Sequence, residues 1–344
     1  MTEAPATAAT VDPDEARQTW NRCRYVPGSG TGHYESYFQR ANHPSRPLAF
    51  WIRYTILSPR GRPADAVGEL WAIWFDGERE RIVAVKSETP FADCAFGTEG
   101  LLARVGAATL DGERLVGEAR TAGHVLGWEL DYTSDADPLL LLPPGLYARG
   151  LPKAKALVGS PNAVFEGTLT VDGEVQPIEG WVGSQNHNWG SRHTDRYAWG
   201  QVAGFDGVPD SFLECATARV RIGPFWTPAM TLLVLRLGSE RYALNSLGRA
   251  LRARGQVEGL EWRFATRAGE VALEGRIWAP PARFVGLRYG NPPGGVKICL
   301  NSKLAACELT LHQRGQPALV LRSAHRAAFE ILDDGTRAGI PVVL

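Results

Sequence analysis

The chain has 344 residues, 44% of them hydrophobic, which is enough for about two domains of ~150 residues with buried cores. Acidic and basic residues balance at 37 each, so there is no one-signed field to attract nucleic acid or an anionic membrane. No stretch approaches the ~18 apolar residues of a membrane-spanning helix.

Residues 1–11 are rich in Ala and Thr, with neither a basic nor an apolar segment. They do not read as a signal peptide, and a disordered N-terminus on a soluble, cytoplasmic protein is expected. Asp12-Pro13 then supplies a cap and a first-turn proline for one short helix reaching towards Cys23. Strand signals dominate from there. Leu48 to Ile56 is aromatic and β-branched. Glu69 to Phe75 meets Asp76-Gly77 and continues as Arg81 to Val85, which predicts a hairpin. Asp111-Gly112, Asp172-Gly173 and Asp206-Gly207 sit between strand-like runs in the same way, as does Arg314-Gly315; Asp334-Gly335 repeats the dipeptide near the end. Short strands joined by tight turns, without long helical patterns, predict an all-β protein of antiparallel sandwiches or barrels. Each half carries an early aromatic strand followed by hairpins. A boundary is expected near Glu179, dividing the chain into 12–179 and 180–344. No Ser- or Pro-rich linker separates the halves, so they should pack directly. The five cysteines form no CxxC pair and read as free buried thiols in a reducing compartment.

The densest polar and aromatic cluster lies mid-chain: Gly180-Trp181-Val182-Gly183-Ser184-Gln185-Asn186-His187-Asn188-Trp189-Gly190, followed by Tyr197 and Trp199. Three tryptophans give it more apolar area than a solvent loop needs, so it reads as a half-buried strand lining a cavity. Alternation would put Gln185, His187 and Trp189 on one face, and Ser184, Asn186 and Asn188 on the other.

Asn186-His187-Asn188-Trp189-Gly190 with Tyr197-Ala198-Trp199 resembles the central motif of the carotenoid 1,2-hydratase, tocopherol cyclase-like and AttH-like superfamily. The chain length and the two-part β layout agree with it. The resemblance implies two consecutive lipocalin-like barrel domains and a site for a hydrophobic, often isoprenoid, molecule. That group includes hydratases, cyclases, pericyclases and members with no known activity. One position departs: the motif's aspartate is Asn186 here, and an amide cannot supply a proton as a carboxylic acid does.

Another group must then act if the reaction begins by protonating an alkene. His187 is one candidate, and reads either as a hydrogen-bonded structural histidine or as a catalytic one. Glu35, in Gly32-His33-Tyr34-Glu35-Ser36-Tyr37-Phe38, is the other; a carboxyl in an apolar cavity stays protonated. It reads equally as an exposed strand residue or a partner for Arg40 or Arg53. The catalytic candidates are therefore His187, Asn186 and Glu35. The substrate-binding candidates are Gln185, Trp189, Trp199, Tyr37, Trp51 and Arg53. The segments Gly32–Ile56 and Gly180–Val202 should line one cavity. There is no HExxH, no HxH and no Cys/His set with zinc spacing, so neither metal nor cofactor is expected. Two functions fit: a cofactor-free enzyme acting on an isoprenoid- or polyketide-like molecule by hydration, cyclisation or isomerisation, or a non-catalytic carrier of a hydrophobic ligand.

Overall fold

The computed structural model describes residues 12–121, 123–333 and 339–344. The expected disordered stretch 1–11 and the Asp334-Gly335 turn lie outside the described residues. The helix Pro13–Asn21 begins where the cap predicts, with the Asp12 carboxylate accepting from the Asp14 amide at 2.9 Å. Nearly everything else is antiparallel strand in two large sheets.

The first sheet runs in spatial order Arg81–Pro90, Val67–Asp76, Leu48–Ser58, His33–Asn42, Glu174–Gly190, Ala154–Val171, His124–Thr133 and Arg114–Thr121, then three short strands. It curls into a nearly closed barrel. The Lys86 amide donates to Thr121 Oγ1 at 2.8 Å, and the Arg120 amide to Ser87 Oγ at 3.0 Å, so one end of the order meets the far side. The second sheet runs Glu240–Leu244, Met230–Leu237, Val208–Arg219, Arg196–Phe205, Leu319–Asp333, Val296–Gln313, Val271–Trp278, Glu261–Ala268 and Arg254–Glu258. The strands flanking each expected Asp-Gly or Arg-Gly turn among the described residues do pair. At Asp172-Gly173 both residues have positive φ, 52° and 88°, the backbone a two-residue hairpin needs.

Sheet membership changes between Gly190 and Arg196. The boundary expected at 179/180 falls inside the strand Glu174–Gly190, which belongs wholly to the first sheet. Gly180, with φ 63°, marks an irregularity in that strand rather than its end.

The second sheet also curls round, bringing Met230–Leu237 against Arg254–Glu258 and Glu261–Ala268, and each barrel is filled by its own core. Phe50, Tyr54, Trp74, Phe165 and Trp181 are among the residues filling the first, and Trp262, Phe264, Phe284 and Phe329 among those filling the second. A third cluster joins them: Phe38, Trp51, Trp71, Ile73 and Phe75 pack against Trp199, Leu287, Tyr289, Leu304 and Leu332. The barrels therefore meet through outer faces. This explains why Tyr34 to Asn42 is buried without a break, since a strand covered on both sides loses the wet face that would alternate. Arg40 pins one end of the contact, its Nε donating to Gln201 Oε1 at 2.7 Å and its Nη1 to Asn42 Oδ1 at 2.8 Å. All five cysteines are free; Cys215, Cys299 and Cys307 are buried, while Cys23 and Cys94 are half-buried rather than fully enclosed. No helix among the described residues is long and apolar enough to cross a membrane.

Candidate functional site

Because both barrel interiors are filled, the largely apolar cavity of about 430 Å³ that concerns function lies between them. The first sheet supplies Tyr34, Phe38, Trp51 and Arg53, with Asn186, His187 and Asn188 from the central strand. The second supplies Tyr197, Trp199, Glu214, Tyr289 and Glu330. Leu151 and Leu247, both well exposed, also line it. Of the two segments expected to share a cavity, His33–Asn42 pairs with Glu174–Gly190 in the first sheet, with Tyr37 opposite His187 and Glu35 opposite Trp189, while Arg196–Phe205 belongs to the second sheet.

Glu214 is the chemically distinctive group. Its carboxylate is buried on the strand Val208–Arg219. Oε1 accepts from Trp199 Nε1 at 2.7 Å and Oε2 from Gln201 Nε2 at 2.8 Å. Burial outweighs these donors and pushes the carboxyl up to about 7. Gln201 is itself held in orientation. Its Oε1 accepts from Arg40 and from Ser184 Oγ at 2.6 Å, which leaves Nε2 to donate to both Glu214 and Asn186 Oδ1. Asn186 in turn donates to Ser184 Oγ at 2.9 Å. Asn186 thus belongs to the network that positions Glu214. Nearby, burial first and Arg53 second press His193 down to about 3, so a neutral imidazole stacks on Tyr34 with centroids 4.0 Å apart.

Gln185, His187 and Trp189 point the other way, into the mouth of the first barrel beneath the N-terminal segment. Gln185 exchanges hydrogen bonds with Asn21. The His187 ring stacks on Tyr37 at 4.3 Å, and Trp189 carries the Arg24 guanidinium on its face at 3.9 Å. Glu35 meets His187 Nε2 at 2.8 Å and His33 Nε2 at 2.9 Å, and accepts the Arg24 amide at 2.9 Å. Burial alone would raise this carboxyl, but the bonds from His187 and His33 hold it well below the usual carboxylate range. Burial also disfavours a charged His187. Both its ring nitrogens nevertheless face acceptors, the Trp20 carbonyl at 3.0 Å and Glu35, so His187 and Glu35 form a closed hydrogen-bonded pair. The geometry thus makes Glu35 neither the protonated acid nor the partner of Arg40 or Arg53 that the sequence suggests. Among the candidate residues, Asn186, Trp199, Trp51 and Arg53 border the cleft, as does His187 although its ring is engaged by Glu35, Tyr37 and the Trp20 carbonyl; Glu35, Gln185, Trp189 and Tyr37 do not. Sequence reasoning missed Glu214, although a lone carboxylate within Phe212-Leu213-Glu214-Cys215-Ala216 is a signal of an inward-facing charge.

No family model matches the chain. An uncharacterized protein of Mycobacterium tuberculosis (strain ATCC 25618 / H37Rv) is 26% identical over 318 residues, covering 91% of this chain and 90% of the relative. Among solved structures, a protein assigned as AttH from Nitrosomonas europaea superposes with TM-score 0.55 at 13% identity, covering 96% of this chain and 98% of that one. Kievitone hydratase from Nectria haematococca gives 0.53 at 12%, over 93% and 97%. CghA with Sch210972 gives 0.54 at 12%, over 95% and 98%. These neighbours are members of the AttH/lipocalin-like hydratase and cyclase superfamily, and at such identities the likeness establishes a common fold.

Proposed function

We propose, from a fold shared with the AttH/lipocalin-like hydratases and cyclases, that this chain is a cofactor-free enzyme acting on an isoprenoid- or polyketide-like molecule in the interbarrel cleft. The observation that carries the reading is Glu214, a buried carboxyl held near half-protonation at neutral pH on the wall of an apolar cavity. In its protonated form it delivers a proton to an alkene carbon, forming a C–H bond and leaving a carbocation. Trp199 and Trp51 line the same cleft, where an aromatic π-system can stabilise that charge. Water then adds, a second alkene adds, or a neighbouring proton leaves. These outcomes are hydration, cyclisation and isomerisation, and the Glu214 carboxylate recovers the proton in each. The largely apolar walls limit the water that can reach the cation.

The alternative reading, a carrier, is favoured by one observation: the motif histidine borders the cleft, yet both its ring nitrogens are taken up by Glu35 and the Trp20 carbonyl, so neither is free for a ligand. Proton transfer separates the two readings. The protein is incubated in D2O with an apolar metabolite extract of its host, and products are followed by mass spectrometry. New species carrying carbon-bound deuterium are expected with wild type and should vanish with Glu214→Gln. Identical profiles with both proteins would leave only the carrier.

A further inference from the structure

Arg53 is a buried cation in the cleft wall with no ion pair to a carboxylate among the described residues. Only 4% of it is exposed. Its Nη2 donates to Ser36 Oγ at 2.6 Å, while Nε is buried with no hydrogen-bond partner. The guanidinium lies 4.5 Å from the Tyr289 ring centroid and 5.9 Å from that of Trp51. Other cations are answered within the protein: buried Lys303 pairs with Glu330 at 3.0 Å, half-buried Lys86 pairs with Glu69 at 2.8 Å, and buried Arg40 donates to the Gln201 and Asn42 amide oxygens. In the cleft, Lys155 gives its ammonium to the Pro152 carbonyl at 2.9 Å. A guanidinium removed from water without an anion is costly, and its planar fork matches a carboxylate or an ionised enol.

We infer that the cleft takes an apolar molecule bearing an anionic oxygen group, a carboxylate or ionised enol, seated on Arg53 between Tyr289 and Trp51. This rests on the cleft being the ligand site, and it names the substrate class. The anion anchors one end of the molecule, and the apolar remainder lies along the wall that carries Glu214.

Matched probes test it: retinoate and retinol, which share an isoprenoid body and differ in the head group, followed by quenching of tryptophan fluorescence. Wild type should bind retinoate at least about tenfold more tightly than retinol, as a charge-assisted pair implies. Arg53→Gln should bring the two affinities together while leaving retinol binding and the thermal midpoint near wild type. Arg53→Lys should keep part of the preference. Equal affinities in wild type, or an equal loss of both in Arg53→Gln, would overturn the anion seat and leave the apolar cleft standing. If neither probe binds wild type, the cleft itself fails as the ligand site.

Discussion

Two buried carboxylates have opposite fates because their neighbours differ. Glu35 is surrounded by donors and held ionised, whereas Glu214 has two neutral donors and stays high. The signs follow. Glu35 contributes stability that is present above the usual 4.5 and lost as pH falls below it. Glu214 contributes stability that is present below 4.5 and lost as pH rises through about 7, on the order of 3 kcal/mol. Urea unfolding between pH 5 and 8 should therefore show a falling stability in wild type and a flatter profile in Glu214→Gln; parallel profiles would mean that Glu214 titrates normally. His187→Ala breaks a buried pair and should cost about 3–5 kcal/mol with a smaller change in retinol affinity, as the ring nitrogens are engaged by Glu35 and the Trp20 carbonyl. A large loss of affinity at unchanged stability would place His187 in the cleft chemistry instead. Asn186→Asp sets a second carboxylate against the amide that Gln201 shares with Glu214, so the Glu214 midpoint should move higher still.

The strand Glu174–Gly190 serves both faces of the first sheet at once. Turn chemistry is local, so hairpins such as Asp172-Gly173 can be read from two residues and their flanks. Alternation is also local, and it sorts Gln185, His187 and Trp189 from Ser184, Asn186 and Asn188. What it does not contain is which set meets the cleft. That depends on the helix Pro13–Asn21 covering one face and the second barrel covering the other. Glu214 was hidden for the same reason, since its raised carboxyl depends on Trp199 and Gln201, neighbours only across the sheet. Sheet membership changes only after Gly190 because this strand, 17 residues long, runs past the Gly180 irregularity without leaving its sheet. Its central glycine is a sharp test of this geometry. Gly183 lies opposite Ala41, and a Cβ there would run into the Arg40 carbonyl oxygen, a backbone atom that cannot swing aside. Gly183→Ala should cost ~2 kcal/mol or more in urea unfolding; wild-type stability would mean that the pairing around Arg40 is looser than described.

At the scale of the whole molecule, the interface joins an apolar cluster to a buried polar network around Arg40. Trp51 and Trp71 of the first barrel are almost wholly covered by the contact, and residues buried to this degree typically contribute about 1.5–3 kcal/mol each. The barrels should unfold together, so tryptophan fluorescence and far-ultraviolet circular dichroism should give coincident urea transitions, whereas two separated transitions would show independent halves. The contact also creates the site: Glu214 belongs to the second barrel and Arg53 to the first, and the cleft exists only where they meet. The most direct measurement of the central claim is carbon-13 nuclear magnetic resonance of the glutamate side-chain carboxyls across pH, with the Glu214 signal identified by its loss in Glu214→Gln. The account predicts a midpoint near 7 for Glu214. A midpoint at the ordinary 4.5 would leave the cleft without its acid and contradict the proposed chemistry.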